Sequence, residues 1–192
     1  MSTGALYRAL AWAVRDARVN IDEPDALQKV LDRTDVTLSG ERVLVDGRDV
    51  TAFIRTPEIS ELTSVLTKQR AVRDKMTPLQ RALAARGGVV LEGRDTGSVV
   101  WPEAEVKFYL DADLETRARR RQVDLRAQGV EMDLAAVRAD VASRDRQDMG
   151  RPLAPLVKPE GAVVVDSTTL TLDDVVETMA RIVEQMWCCT GS

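Results

Sequence analysis

The spacing of apolar residues predicts that the chain opens on helices. From Thr3 to Val19 apolar residues recur every three or four positions, which is the period of an amphipathic helix, and Thr3 is placed to act as its N-cap. A second helix is predicted from Pro24 to Leu31, because proline suits the first position of a helix.

The pattern changes to alternation between Val36 and Ile54. Three short runs, VTL, ERVLV and VTAFI, are separated by Ser39-Gly40 and Asp46-Gly47, and both dipeptides favour hairpin turns. The segment is therefore predicted to form a three-stranded antiparallel meander.

Helical spacing returns after the meander. Thr56-Pro57, an N-cap followed by proline, predicts a helix that runs to about Lys68. A further helix is predicted from Ala71 to Ala85, interrupted near Thr77-Pro78 and stopped by Gly87-Gly88.

Three short apolar runs in the remaining sequence are typical of buried parallel strands. They are Gly88 to Leu91, Val106 to Leu110 and Ala162 to Val165. Helices are predicted from Leu114 to Gln128, from Leu134 to about Gln147, and from Leu172 to Met186 with Thr171 as its N-cap. Strands that alternate with helices predict an α/β domain with a parallel sheet, in which the meander is an insertion.

Composition excludes several classes of protein. The 192 residues contain no histidine, which rules out Ser-His-Asp and Cys-His relays and HExxH metal sites. The only cysteines, Cys188 and Cys189, are too few for a zinc site, and no apolar stretch reaches the roughly 20 residues of a membrane span. A net charge of −4 argues against a nucleic-acid binder, so we expect a cytoplasmic protein without membrane or nucleic-acid partners.

Arginine is the unusual feature of the composition. Of 27 basic residues only five are lysine, which leaves 22 arginines. One cluster follows the predicted strand at Leu91, where the turn from Glu92 to Ser98 places Arg94 and Asp95 at the carboxyl end of a strand, the usual ligand-binding edge of such sheets. The alternative is a tight turn with an Arg-Asp pair at the surface.

Two more clusters lie on the predicted helices. Arg117, Arg119, Arg120 and Arg121 repel one another, and a polyphosphate would relieve that repulsion, although a solvated helix face is the alternative. Arg144, Asp148 and Arg151 are spaced to converge on one ligand, or else to form an ordinary Arg-Asp pair at a helix end. The three clusters together favour a ligand that carries phosphate.

Five motifs in this order resemble those of the bacterial-type cytidylate kinases, which are nucleoside monophosphate kinases with a P-loop NTPase-like fold. Thr3-Gly-Ala-Leu-Tyr-Arg8 is similar to D-[ST]-G-A-x-Y-R, Glu92 to Pro102 to D-G-R-D-x-G-T-V-V-x-P, and Arg117 to Arg121 to R-A-x-R-R. Arg144 to Leu156 is similar to R-D-x-x-D-x-x-R-x-x-A-P-L, and Asp166 to Thr171 also matches. The resemblance implies a single domain over residues 1–192, with a CMP-binding insert at 24–68 and a lid at 117–151.

The resemblance also implies an activity and a set of site residues. It implies transfer of the ATP γ-phosphoryl group to CMP or dCMP, with Mg²⁺ as cofactor and no metal ligand among the site residues. By this resemblance, Ser64, Arg73 and Asp95 match positions that read cytosine, and Arg8, Arg94 and Arg151 match positions that hold the acceptor phosphate. Arg144 and Asp148 match positions near the sugar, and Thr3 and Tyr7 line the acceptor pocket. Arg117 and Arg121 cover ATP, and the catalytic residues are Arg94, Arg121 and Arg151.

The sequence departs from the family pattern at its start. The family begins with a strand and a glycine-rich phosphate loop ahead of D-[ST]-G-A-x-Y-R, whereas this chain begins at that motif, and none of its five lysines lies in a glycine-rich loop. Glu92 replaces the usual Asp. We therefore expect an incomplete chain that lacks the first strand and the P-loop and has little or no activity.

Two other functions remain open from the sequence. One is a non-catalytic protein that binds CMP without turnover. The other is a different nucleoside monophosphate kinase that prefers AMP or UMP, in which case Ser64, Arg73 and Asp95 are misassigned. In each case a monomer is expected.

Overall fold

The computed structural model describes residues 1–190 and divides the chain into two compact units, residues 1–96 and the residues from 97 onward. Among the helices described, none has the length and apolar character needed to cross a bilayer.

The first unit is mainly helical and carries a small antiparallel sheet. Its elements, in chain order, are α1 (Thr3–Asp16), α2 (Pro24–Arg33), β1 (Val36–Ser39), β2 (Arg42–Val45), β3 (Arg48–Asp49), α3 (Pro57–Leu66) and α4 (Arg70–Ala84). The strands pair in the order β1-β2-β3, with Val36 opposite Val45. The predicted meander is thus confirmed in its first two strands.

Helix α1 forms the centre of the core of this unit. Leu6, Leu10 and Val14 recur at helical spacing on its buried side and have almost no exposed surface. They pack in one apolar cluster with Leu27 and Leu31 of α2, among others. Because nine of its 14 residues are buried, α1 is held on several sides and provides a rigid base for its first turns.

Three local predictions in this unit are wrong. The N-cap of α1 is Ser2, whose Oγ accepts a hydrogen bond from the Ala5 amide, because Thr3 already has helical geometry. The third strand is Arg48–Asp49, and the predicted run Val50 to Ile54 forms turns that bury both of its end residues. Helix α4 continues through Pro78, because Val72, Met76 and Ala84 bury one side of it and packing outweighs the lost amide donor.

The predicted strand from Gly88 to Leu91 is also absent. A single parallel bridge between Ser2 and Glu92 takes its place, with the Thr3 amide donating to the Glu92 carbonyl at 3.0 Å and the Glu92 amide to the Met1 carbonyl at 2.9 Å. Val90 is 78% exposed, so in the described part of the chain this run lacks the buried faces that stabilise a parallel strand.

The second unit has α/β architecture with a parallel sheet. Its elements are a π-helical turn (Thr96–Val100) at the junction of the units, β4 (Phe108–Asp111), α5 (Leu114–Ala127), α6 (Leu134–Gly150), β5 (Val163–Asp166) and α7 (Leu172–Thr190). Strands β4 and β5 pair in parallel, from Phe108 opposite Val163 to Asp111 opposite Asp166. The sheet predicted from the sequence is confirmed for these two strands, and Thr171 caps α7 as predicted by accepting from the Asp174 amide.

Helices α5 and α6 form an antiparallel hairpin with a small apolar core. Ala118 and Leu125 of α5 meet Val137 of α6, and the partly buried Leu134 and Val141 complete the cluster. Most other positions of the hairpin are polar or charged, so its geometry depends strongly on ion pairs as well as on burial.

Candidate functional site

The first turn of α1 lies directly against the Glu92-Gly93 segment. The Thr3 hydroxyl is buried and donates a hydrogen bond to the Glu92 carbonyl at 2.9 Å. A Cβ placed on Gly93 would lie 2.1 Å from Thr3 Oγ1 and 3.0 Å from a methyl carbon of Thr96. Gly93 is therefore required because a side chain has no space between α1 and the turn that carries Arg94 and Asp95.

Replacing Gly93 by alanine is expected to lower the free energy of unfolding by about 2 kcal/mol, the usual range for an added methyl group in a packed site. Gly150→Ala is the matched control, since nothing lies within 4 Å of the added Cβ there. In the double variant T3A/G93A the contact with Thr3 Oγ1 is removed and only the 3.0 Å contact with Thr96 remains, so G93A should cost less stability in the T3A background than in the wild type. Urea unfolding measures the wild type and the four variants, and equal midpoints for wild type and G93A would contradict the prediction.

A buried ion pair joins α4 to the same turn. Arg73 Nη1 donates to Asp95 Oδ2 at 2.7 Å, and the two side chains are only 8% and 6% exposed. Arg73 Nε donates to the Thr67 carbonyl at 2.7 Å, and the Thr67 hydroxyl donates to the Ser64 carbonyl at 3.2 Å. One chain of hydrogen bonds thus connects Ser64, Arg73 and Asp95, three residues that lie far apart in the sequence.

Tyr7 lies beneath this ion pair. The Arg73 guanidinium carbon is 5.9 Å from the centre of the Tyr7 ring, a cation–π distance. Burial raises the pKa of the Tyr7 hydroxyl above its usual value, and Arg73 partly opposes that rise. The phenol therefore stays protonated at neutral pH and is available as a hydrogen-bond donor.

Gln80 is a residue that the sequence analysis missed. It lies on the buried side of α4, two turns after Arg73, and has no exposed surface. Gln80 and Thr77 lie beside the Tyr7 hydroxyl and their interaction with it lowers its pKa, but Tyr7 Oη and both Gln80 amide atoms have no hydrogen bond of normal geometry in the described structure. A glutamine at the spacing of the apolar positions of α4 is the sequence signal for this group.

Arg8 and Arg94 lie at the edge of the same group. A Cβ on Gly4 would lie 3.3 Å from Arg8 Nη1, so the Arg8 guanidinium extends back over the first turn of α1. Arg94 is exposed, next to the buried Asp95. The first unit therefore brings together the predicted residues Thr3, Tyr7, Ser64, Arg73 and Asp95, with Arg8 over the adjoining helix turn and Arg94 adjacent to Asp95 in sequence.

In the second unit, Arg117 is already engaged within the hairpin. Its Nε donates to the Ala112 carbonyl at 2.8 Å, and its Nη1 forms an ion pair with Asp145 of α6. Asp145 was not predicted from the sequence. The pair links the first turn of α5 to α6, so Arg117 helps to hold the hairpin together in this structure.

The three arginines that follow have different environments. Arg119 makes an exposed i,i+4 ion pair with Glu115 at 3.1 Å. Arg120 donates to the Ser167 hydroxyl at 2.9 Å, the Ser167 carbonyl at 2.6 Å and the Leu170 carbonyl at 3.4 Å, which anchors α5 to the segment after β5. Arg121 has a buried Nε without a hydrogen-bond partner among the described residues. Arg121 therefore has an unused donor that an anion could accept.

In the third cluster, Asp148 and Arg151 lie together at the end of α6. Asp148 Oδ1 lies 3.5 Å from Arg151 Nη1, and Arg151, which is buried, also donates from Nε to the Ala154 carbonyl. Arg144 and Asp148 are both half-buried in the C-terminal half of α6.

The described residues contain no group of three or more acidic, cysteine or histidine side chains placed to hold a metal ion.

Comparison with known proteins gives one consistent result. The sequence model of the family described as "Cytidylate kinase" matches residues 1–185. The cytidylate kinase of a Geobacter species is 45% identical over 189 residues, which is 96% of this chain and 81% of that protein. The cytidylate kinases of Symbiobacterium thermophilum and Syntrophotalea carbinolica are 46% and 43% identical and are covered over 82% and 84% of their own lengths by 94% and 100% of this chain.

Proposed function

Since the chain belongs to the cytidylate kinase family, we propose that it is a phosphotransferase that moves the γ-phosphoryl group of ATP to CMP or dCMP and forms CDP or dCDP. The observation that carries this proposal is the chain of hydrogen bonds through Ser64, Arg73 and Asp95. Cytosine presents an exocyclic amine that a carboxylate accepts from, beside ring acceptors that a guanidinium donates to. A buried Arg-Asp pair supplies both functions where water does not compete.

The acceptor phosphate is assigned to arginines. Arg8 and Arg94 belong to the first unit and Arg151 to the second, and each offers a guanidinium fork that suits a phosphate group. A phosphate monoester is largely ionised at neutral pH, so the attacking oxygen needs no histidine base. Catalysis then consists of positioning and of neutralising charge, which agrees with a sequence that has no histidine.

The donor side is assigned to the α5–α6 hairpin. Of the two predicted ATP-binding arginines, Arg121 has the unused buried donor, whereas Arg117 is paired with Asp145. We propose that Arg121, with Arg94 and Arg151, stabilises charge on the transferring phosphoryl group, and that Arg144 and Asp148 contact the sugar. Residues 117–151 act as the lid and residues 24–68 as the CMP-binding insert of one domain.

Magnesium enters this proposal with the donor nucleotide. Mg²⁺ normally retains several waters and binds through nucleotide phosphates with one or two carboxylates. The described residues offer no larger acidic cluster, so the phosphates of ATP are the proposed principal ligands. The ion would neutralise charge on those phosphates. A cytoplasmic monomer is the proposed state of the protein.

The test measures binding and turnover separately. A chain of these 192 residues contains no lysine in a glycine-rich loop, so we expect CMP binding by calorimetry but little ATP-dependent CDP formation. Substantial CDP formation would exclude the second candidate, a CMP-binding protein without turnover. Tighter binding of AMP or UMP than of CMP would contradict the assignment of Ser64, Arg73 and Asp95.

A further inference from the structure

A fully buried glutamine with unused hydrogen-bonding groups lies next to the proposed acceptor pocket. Gln80 has no exposed surface, and neither Oε1 nor Nε2 has a hydrogen-bond partner among the described residues. Burial of an unpaired amide destabilises a folded protein, and for that reason the great majority of buried polar groups are paired. The position of Gln80 therefore requires an explanation other than packing.

The surroundings of Gln80 point to Tyr7. Residues 73, 76, 80 and 84 form the buried side of α4, so Gln80 lies on the same side of the helix as Arg73, which stacks over the Tyr7 ring at 5.9 Å. Tyr7 Oη is buried and forms no hydrogen bond of normal geometry in the described residues, although Gln80 and Thr77 lie close enough to it to interact. Gln80 and Thr77 are the side chains next to that hydroxyl. Two unpaired buried polar groups, one on α1 and one on α4, are thus neighbours.

We propose that Gln80 is a positioning residue for the acceptor nucleotide and that it acts through the Tyr7 hydroxyl. The Gln80 amide nitrogen donates to Tyr7 Oη when CMP is bound. The phenol then directs its own proton at an oxygen atom of the nucleotide, because its acceptor side is occupied. This inference rests on the proposed function, since it requires that the first unit binds a nucleoside monophosphate.

Gln80→Met separates this role from a structural one. Methionine has nearly the same length and volume but no amide, so the variant removes the unpaired groups without leaving a cavity. We expect the affinity for CMP to fall about tenfold, the effect of losing one buried hydrogen bond, while the melting temperature is unchanged or higher. A residue that only supports the fold would give the reverse, with a lower melting temperature and an unchanged affinity.

The matched control is Gln185→Met, the same chemical change at an exposed position of α7, outside every segment assigned to nucleotide binding. It should leave the affinity for CMP unchanged. Gln80→Leu is the second variant if Q80M unfolds, because it removes the amide with a smaller side chain.

A double-mutant cycle with Tyr7→Phe tests the proposed route. If Gln80 acts through the hydroxyl, Q80M has no further effect on CMP affinity once that hydroxyl is gone, and Y7F and Y7F/Q80M bind CMP equally. Additive losses would overturn the proposal, and so would a wild-type affinity in Q80M. Failure of the unsubstituted chain to bind CMP would instead overturn the proposed function, and this inference with it.

Discussion

Replacing Arg73 by methionine is expected to lower the free energy of unfolding by about 3–5 kcal/mol, because it leaves the Asp95 carboxylate buried without its cation. Arg73 Nη1 and Asp95 Oδ2 are 2.7 Å apart, and both side chains are less than one tenth exposed. Loss of one partner from such a buried pair is strongly destabilising. The Thr67 carbonyl would lose its donor as well. Urea unfolding monitored by fluorescence of the three tryptophans measures the change.

The double variant R73M/D95L distinguishes stability from recognition. Replacing both charges by apolar side chains removes the unpaired group, so most of the lost stability should return. Affinity for CMP should not return, because the donor and the acceptor for the base are both gone, and we expect a loss of at least about 100-fold from two charge-assisted hydrogen bonds. A double variant that binds CMP normally would show that the pair supports the fold alone.

Replacing Arg120 by methionine is expected to lower the free energy of unfolding by about 2 kcal/mol, since charge-assisted hydrogen bonds to buried acceptors are worth about that much. Ser167 is 2% exposed and would lose the donors to both its hydroxyl and its carbonyl. No ligand is involved in this effect, so it should be the same with or without nucleotide in the buffer.

Arg119 and Arg121, the neighbours of Arg120 in the sequence, supply the controls. Arg119→Met removes an exposed i,i+4 pair and should change stability by at most about 0.5 kcal/mol. Arg121→Met removes a buried donor that has no partner in the described residues, so stability should be unchanged or higher, while binding of inorganic triphosphate weakens. Equal destabilisation by all three substitutions would show that the arginines act as one charged surface.

The sequence predicts elements better than it predicts partners. Helical and alternating periods locate the seven α-helices of residues 1–190 and both strands of the parallel sheet there, because those patterns arise from burial of one side of each element. The strand predicted from Gly88 to Leu91 is wrong because a strand also needs neighbouring strands to pair with, and an apolar pattern does not contain that information. The predicted interruption near Pro78 is wrong because the packing of α4 outweighs the low helix propensity of proline.

In the candidate site too, the sequence identifies residues better than it identifies their contacts. Motif order placed Arg73 and Asp95 in one site, but the ion pair between them depends on the packing of α4 against the turn after Leu91. Nothing local indicated that Arg117 would pair with Asp145, which lies 28 residues away on α6. The four arginines within residues 117–121 look equivalent in sequence, and only the fold assigns Arg120 to Ser167.

The two-stranded parallel sheet has a consequence for handling of the protein. Leu110 and Val164 are each more than half exposed on strands β4 and β5, and a short sheet with accessible apolar side chains is a template for pairing with other chains. Self-association would therefore begin at this sheet and increase with concentration. A charged substitution at Leu110 would oppose such aggregation without touching any residue assigned to nucleotide binding.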